Sequence, residues 1–358
     1  MLVIAETGTL HFEAFLSRTT SLALDPSAME LDQTLKRIAF YAKGFAREII
    51  PHSVYAARYR AFRRSIEAQP LDENILARVN YYNKLSQDKL YRIDNPNRPN
   101  VYDGSRYYYD LKECLNFFSP NFNIACIFRD LTTIPNQPTL VKSRPISGDN
   151  ENSVLYKYIK LRNFRFFKDN YTWENKISKA VWRGGLNNRK WRKDLVIRHH
   201  NNQRCDIGHT KGQVDGIPPK SFVSPVEQLR YRYLVSVEGN DVATNLKWIT
   251  ASNSLCLMPA PRHETWFMEG RLRAGVHYVE LRPDYEDLDE KMDYYDRHPD
   301  EARYIVSNAN EHAKQFTDLR RERVISLLVL QKYFERTSQT PPWDIRVYKH
   351  PESSDERR

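Results

Sequence analysis

Four stretches of this chain bring together residue types that do chemistry. WRGGLNNRKWRKD (182–194) sets Arg183, Arg189, Lys190, Arg192 and Lys193 around Gly184 and Gly185. Cations beside backbone without Cβ atoms suit a pyrophosphate, because amides can approach its oxygens closely. A solvated basic helix start fits the same letters, and no Gly-Lys-Ser/Thr sequence marks a Walker loop. VSVEGNDVATNLKWI (235–249) runs an apolar strand through Gly239 into Asp241, a good N-cap residue. A helix starting there would offer an anion its free N–H groups, with Asn245 and Lys247 in the first two turns. An ordinary strand-to-helix connection accounts for the pattern equally well.

RHETWFMEG (262–270) mixes His263, Glu264, Trp266 and Glu269. Aromatic faces stack on sugar rings and carboxylates accept hydroxyl protons, although Trp266 and Phe267 are types that more often fill a core. FRDLTTIP (128–135) closes the apolar run NIACIF with Arg129-Asp130 before a proline-punctuated loop. This exposes the Asp130 carboxylate at a strand end; a plain ion pair is its simpler role. The Asp-x-Asp at 287–289 lies in an acidic run and reads as a solvated helix face.

The elements that must position these residues follow from periodicity. LDQTLKRIAFYAKGFAREI (31–49) has helical spacing, with Ser27 or Asp32 as caps. Beyond residue 176, KAVWRGG, YRYLVSVEG, SLCLMP and HYVEL read as strands. Between them fall helices at WRKDLVIRHH, 241–252, ETWFMEG, 285–295 and 300–316, and a polar loop through Pro219. Alternation of this kind implies a parallel sheet, so residues from about 180 to 320 form a doubly wound α/β domain with ligands at the carboxyl ends of its strands.

Length and composition bound the rest. At 358 residues two domains are expected, and 41% hydrophobic residues place the chain among folded proteins. Cys114, Cys126, Cys205 and Cys256 show no metal-site spacing and read as free thiols in a reducing compartment. MLVIAETGTLHFEAF has neither a basic nor an unbroken apolar signal region, and no later run reaches the roughly 18 apolar residues of a membrane span. A cytoplasmic protein is expected. The net charge of +10 is uneven: residues 151–200 carry 13 Lys and Arg against 4 Asp and Glu. That centre suits phosphate in a nucleotide, a nucleic acid or a lipid headgroup.

Taken in order, FRDLTTIP, WRGG with its downstream arginines, GNDVATNLKW, SNSLCLMP, ETWFMEG and HYVEL resemble glycosyltransferase family 90 from about residue 120 to 320. This family embraces bacterial lipopolysaccharide-modifying transferases, fungal capsule-associated xylosyltransferases and animal protein O-glucosyltransferases, and the bacterial branch looks closest. The resemblance implies a GT-B arrangement of two facing Rossmann-like domains: residues 1–175 on the acceptor side, 176–325 binding the nucleotide-sugar, and a helix and tail, 326–358, packing back on the first. It implies inverting transfer from a UDP-sugar co-substrate to a glycan or lipid-linked acceptor, with no cofactor and no metal.

By the same resemblance Asp130 is the base. It also puts Arg183 and the basic residues after it, Arg192 first, on the diphosphate; the residue types themselves add Gly184, Arg189, Gly239, Asp241, Asn245, Lys247 and Glu269 to the donor site and set Trp266, Glu264 and His263 towards sugar or acceptor. Animal members carry an arginine where this chain has Asn245, so Lys247 or a helix N-terminus would have to replace it. Peripheral contact with anionic membrane at the inner face fits the basic centre. The rival reading is a nucleic-acid-binding protein that stacks bases on Tyr156, Tyr158, Phe164, Phe166, Phe167, Trp173, Trp182 and Trp191. No nucleic-acid-binding signature accompanies those rings, and nucleic acid is not expected as a partner.

Overall fold

A computed structural model of the protein describes residues 26–68 and 71–343. The N-terminal signal reading and the tail beyond residue 343 lie outside the described residues. Contacts divide the chain after Ile50. In the first unit the described part is one helix, α1 (Pro26–Ile49). Ser27 and Asp32, the expected caps, fall inside it, and Asp32 instead accepts from Lys36 one turn on at 2.8 Å. Pro51 ends it by excluding helical geometry at Ile50.

The second unit is mixed α/β. It opens with α2 (His52–Ala68), α3 (Glu73–Tyr82) and α4 (Ser105–Leu115). Three three-residue strands follow: β1 (Thr139–Val141), β2 (Ser143–Pro145) and β3 (Ser153–Leu155). β1 pairs in parallel with β3, and NIACIF adds a single parallel bridge, Cys126 to Leu140. After a helical turn, α5 (Lys160–Asn163), come β4 (Ile177–Gly185), α6 (Lys190–His199), β5 (Cys205–Lys211), α7 (Pro225–Gln228) and β6 (Tyr231–Val235). The chain continues through α8 (Leu246–Ile249), β7 (Leu255–Met258), β8 (His263–Thr265) and β9 (Val279–Glu280). It ends with α9 (Leu288–Arg297), α10 (Pro299–Lys314) and α11 (Leu319–Arg336).

The expected parallel sheet is present, in the order β5-β4-β6-β7-β9. Numbered by appearance this is 2-1-3-4-5, so connections diverge between β4 and β6 and open a crevice at their carboxyl ends. Period-2 alternation gives one face Ala180, Trp182, Cys205, Ile207, Tyr233, Val235, Leu255 and Leu257, which share a core with Leu195 and Val196 of α6 and Leu288 and Met292 of α9. Val181, Leu234 and Cys256, of opposite parity, are buried too. Strands covered on both faces read as unbroken apolar runs, which made most of them visible in sequence. β5, expected as polar loop, is an edge strand. The Asp-x-Asp is not merely solvated: Asp287 accepts from the Arg282 amide at 3.0 Å and Asp289 from Asn202 at 2.8 Å.

Long-range contacts tie the small strands to the large sheet's connections. β2 pairs antiparallel with β8, and α11 packs on α3 and α4. Between these elements Glu322 is buried, ion-paired with Arg78 at 2.6 Å and accepting from Lys157 and from Trp266 Nε1 at 2.7 Å. Trp266 stacks on Tyr82 with centroids 3.9 Å apart. All four cysteines are free and buried. No helix among the described residues is long and apolar enough to cross a membrane.

Candidate active site

At the carboxyl end of β6 the chain stays extended through Gly239 and bends over Asn240–Asn245, and only then forms the single turn α8. The helix expected from Asp241 is therefore absent. Asp241 is not its cap, because its buried carboxylate is held by Lys142 at 2.7 Å. Asn245 is drawn back onto the strand, donating to the Val235 carbonyl at 3.0 Å and lying 3.2 Å from the Ser236 hydroxyl. A one-turn helix whose side chains are committed elsewhere offers no dipole site for phosphate.

Beside this bend lies a cleft of about 370 Å³, bounded by the starts of α6 and of the loops after β6, β7 and β9. Trp191 forms one wall, fixed by its indole N–H donating to the Glu238 carbonyl at 2.8 Å. The Arg262 guanidinium lies 4.3 Å from the ring centroid and pairs with Glu238 at 2.8 Å. Burial works against the Glu238 charge, but bonds from His263 and Arg262 hold its carboxyl below the usual range. On the opposite side Tyr285 adopts a left-handed backbone, φ 61°, which is strained for a bulky residue. Its hydroxyl is buried and has no partner among the described residues. Trp191 and the carboxylates of Asp194, Glu238 and Asp284 on the lining could serve a nucleoside, the ring by stacking and the acids by accepting from ribose hydroxyls.

The basic residues divide into two sets. Arg192 donates to the carbonyls of Gly185 (2.6 Å), Val237 (3.0 Å) and Glu238 (2.9 Å), joining the ends of β4 and β6. Burial pushes its pKa down to about 10, so it stays charged at neutral pH. None of its bonds is to a carboxylate, leaving a fixed positive charge at the crevice. Arg189 donates to Asn240 at 2.9 Å, and Arg162, unnoticed in sequence, donates to Thr244 at 3.2 Å across the same bend. Arg183 stands apart: period 2 turns it away from the Trp182 face, and it pairs with Asp206 at 2.6 Å. Gly184 is explained by Trp182, whose indole a Cβ would meet at 2.8 Å, and Gly239 by Arg192, at 3.2 Å.

Asp130 is the exposed end of a charged chain. Its carboxylate pairs with Lys142, which sits between β1 and β2 and also holds Asp241, and it accepts from Asn240 Nδ2 at 3.2 Å. Burial opposes ionisation here, yet Lys142 and the Asn240 bond hold the Asp130 carboxyl below its ordinary range. Asn240 thus touches Arg189 through one end of its amide and Asp130 through the other.

The ETWFMEG residues are placed differently from the sequence expectation. Trp266 is core, for the stacking and hydrogen-bonding reasons given above. Glu264 is buried against Arg144 at 2.8 Å and Tyr81. Glu269 pairs with buried Lys247 at 2.8 Å and accepts from the Thr265 amide at 2.6 Å. Lys247 therefore does not present a free ammonium to a diphosphate. Of this group His263 and Glu269 border the cleft, Glu269 from beneath its floor. Tyr156, Tyr158, Trp173 and Trp182 are core as well and present no open face to a nucleic-acid strand. Sequence reasoning passed over Lys142, Arg162, Glu238 and Tyr285; Glu238 alone had a signal, as a carboxylate at a strand's carboxyl end.

Comparison with known proteins agrees with the geometry. The model of glycosyl transferase family 90 matches residues 158–344. O-glucosyltransferase LpsA of Dichelobacter nodosus is 43% identical over 303 residues, covering 83% of this chain and 95% of that protein. Protein O-glucosyltransferase 2 of Danio rerio is 30% identical over 153 residues, and protein O-glucosyltransferase 3 of Homo sapiens 28% over 177, covering 40% and 48% of this chain and 29% and 34% of theirs. A parallel sheet with a cleft at its carboxyl end, a carboxylate beside fixed arginines, and these matches have one conclusion: the chain belongs to glycosyl transferase family 90.

Proposed function

We propose that the protein transfers a hexose or pentose from a UDP-sugar to an acceptor hydroxyl on a lipopolysaccharide or related surface glycan, by inverting displacement without a metal ion. The observation that carries this reading is Asn240, which sets the Asp130 carboxylate one side chain from Arg189. Displacement at an anomeric carbon needs that juxtaposition. Asp130 takes the acceptor proton as its oxygen bonds the carbon, and the carbon–oxygen bond to the diphosphate breaks towards the cations. Arg189, Arg192 and Arg162 stabilise the departing charge, the role a metal ion takes elsewhere.

A GT-B arrangement is part of this reading, with an acceptor lobe ending near residue 175; the small parallel β1–β3 pair and the main sheet support it. UDP-glucose is the first donor to try, since the relatives named above are O-glucosyltransferases. Calorimetric titration with UDP, GDP and CMP in EDTA tests the reading: UDP should bind selectively, and Trp191→Ala, which removes the ring that walls the cleft, should weaken it several-fold. Equal affinity for all three nucleotides, or none, would overturn it. A cytoplasmic site resting on anionic lipid belongs to the same proposal, supported by the basic segment 151–200. Flotation should then recover the protein with vesicles containing phosphatidylglycerol and not with phosphatidylcholine alone; equal recovery removes the idea.

A further inference from the structure

The buried ammonium of Lys142 is shared by two carboxylates from different parts of the chain, Asp130 in the loop before β1 and Asp241 in the bend after β6. Its side chain is 11% exposed, that of Asp241 3% and that of Asp130 33%, so Asp130 alone of the three opens to substrate. One positive and two negative charges leave the trio with a net negative charge. Nothing in the chemistry of sugar transfer requires the second carboxylate: it neither faces the crevice nor binds a described cation other than Lys142. We propose that Lys142 is a positioning residue, which with Asp241 as its anchor holds the Asp130 carboxylate charged and aimed at the crevice. This rests on the assignment of Asp130 as base.

The groups that surround Asp130 allow the effect of removing Lys142 to be derived. Asn240 and Asp241 face it from the bend after β6, Arg162 from α5 and Tyr107 from α4. Tyr107 is neutral at physiological pH, burial raising its pKa further. Without Lys142, the Asp130 and Asp241 carboxylates would lie close together with only the exposed Arg162 as counter-charge. Asp130 then loses the cation that holds its charge and keeps a like-charged neighbour whenever Asp241 is ionised, and both changes favour its protonated form. Asp241 anchors Lys142 from the buried side, and a longer, forked guanidinium at 142 can still reach both acids.

The acid limb of the pH profile of kcat/KM tests this with UDP-glucose as donor. Lys142→Met should move the limb up by about 1–3 pH units, the span over which a neighbouring cation shifts a carboxylate. Lys142→Arg should restore it to within about half a unit, and UDP affinity should stay within about twofold in both. If Lys142→Met fails to fold, the double variant Lys142→Met/Asp241→Asn removes the repulsion and carries the test: its limb should lie above the wild type's, and a limb at the wild-type position would overturn the proposal. A uniform loss of rate at every pH with the limb unmoved would make Lys142 merely structural and overturn the proposal. Carbon-13 titration of carboxyl-labelled aspartate, with the Asp130 signal identified by its loss in Asp130→Asn, gives an independent readout. An upward shift of that signal in the Lys142 variants supports the proposal even if no sugar transfer is found, and an unshifted signal overturns it even if transfer is robust.

Discussion

Asp130→Asn should lower sugar transfer by about 10²- to 10⁴-fold, the usual contribution of a general base, while UDP binds as before. The substitution is nearly isosteric. It keeps one oxygen, which can still accept from Lys142, and gives up only the 3.2 Å bond that Asn240 Nδ2 donates to the other; the bend after β6 is also held by Asn245 on the Val235 carbonyl and should keep its shape. What it removes is the ability to accept a proton from the acceptor. Calorimetry and donor hydrolysis separate the two: unchanged UDP affinity with the rate lost is the expected pair. Near wild-type transfer with intact UDP binding would show that the base lies elsewhere, and the charged chain through Lys142 would then be a structural joint.

The largest effect on stability is expected at Glu322. Its carboxylate serves Arg78, Lys157 and Trp266 Nε1, and no water reaches it in bulk, since 3% of its side chain is exposed. Burial has already pushed the Lys157 pKa down to about 8 against the attraction of Glu322. Glu322→Ala leaves Lys157 the option of losing its proton, but an arginine does not deprotonate, and Arg78 is wholly buried. Breaking a buried pair from one side costs about 3–5 kcal/mol. The urea midpoint of unfolding should fall accordingly; a loss under about 1 kcal/mol would mean that Tyr82 and the Gln315 carbonyl, which also accept from Arg78, suffice for it.

The parts of the fold that were legible in the sequence are those whose cause is local. β6, β7 and the middle of β4 announce themselves as short apolar runs because both of their faces are covered. β5 does not, since CDIGHTK carries an aspartate, a histidine and a lysine that an edge position tolerates. Arg183 could have been placed by the same period of two that fixes Trp182 inward. The candidate site was less legible because its bonds cross the chain: Asp130 and Asn240 are 110 residues apart, and Arg162 and Thr244 are 82 apart. Asp241 looked like a helix cap because the lysine that claims it is encoded a hundred residues earlier. Within ETWFMEG, aromatic and acidic letters suggested a sugar platform, but Glu264, Trp266 and Glu269 were each matched by partners on other elements. Composition could not reveal those partners.

The position of α11 also governs the order in which the protein can be made. Asn83, at the end of α3, donates to the Val329 carbonyl 246 residues later, and the Ala125 amide donates to the Tyr333 hydroxyl 208 residues later. β2 likewise waits for β8. A ribosome that has released the first half of the chain has therefore released an apolar surface whose cover does not yet exist, whereas β4 to β9 can assemble with their neighbours in sequence. Contacts of such separation form slowly, and an emerging chain keeps that surface exposed for the whole interval. The early helices α3 and α4 consequently stay uncovered until α11 has been translated, and a truncation before Leu319 removes not an appendage but their cover.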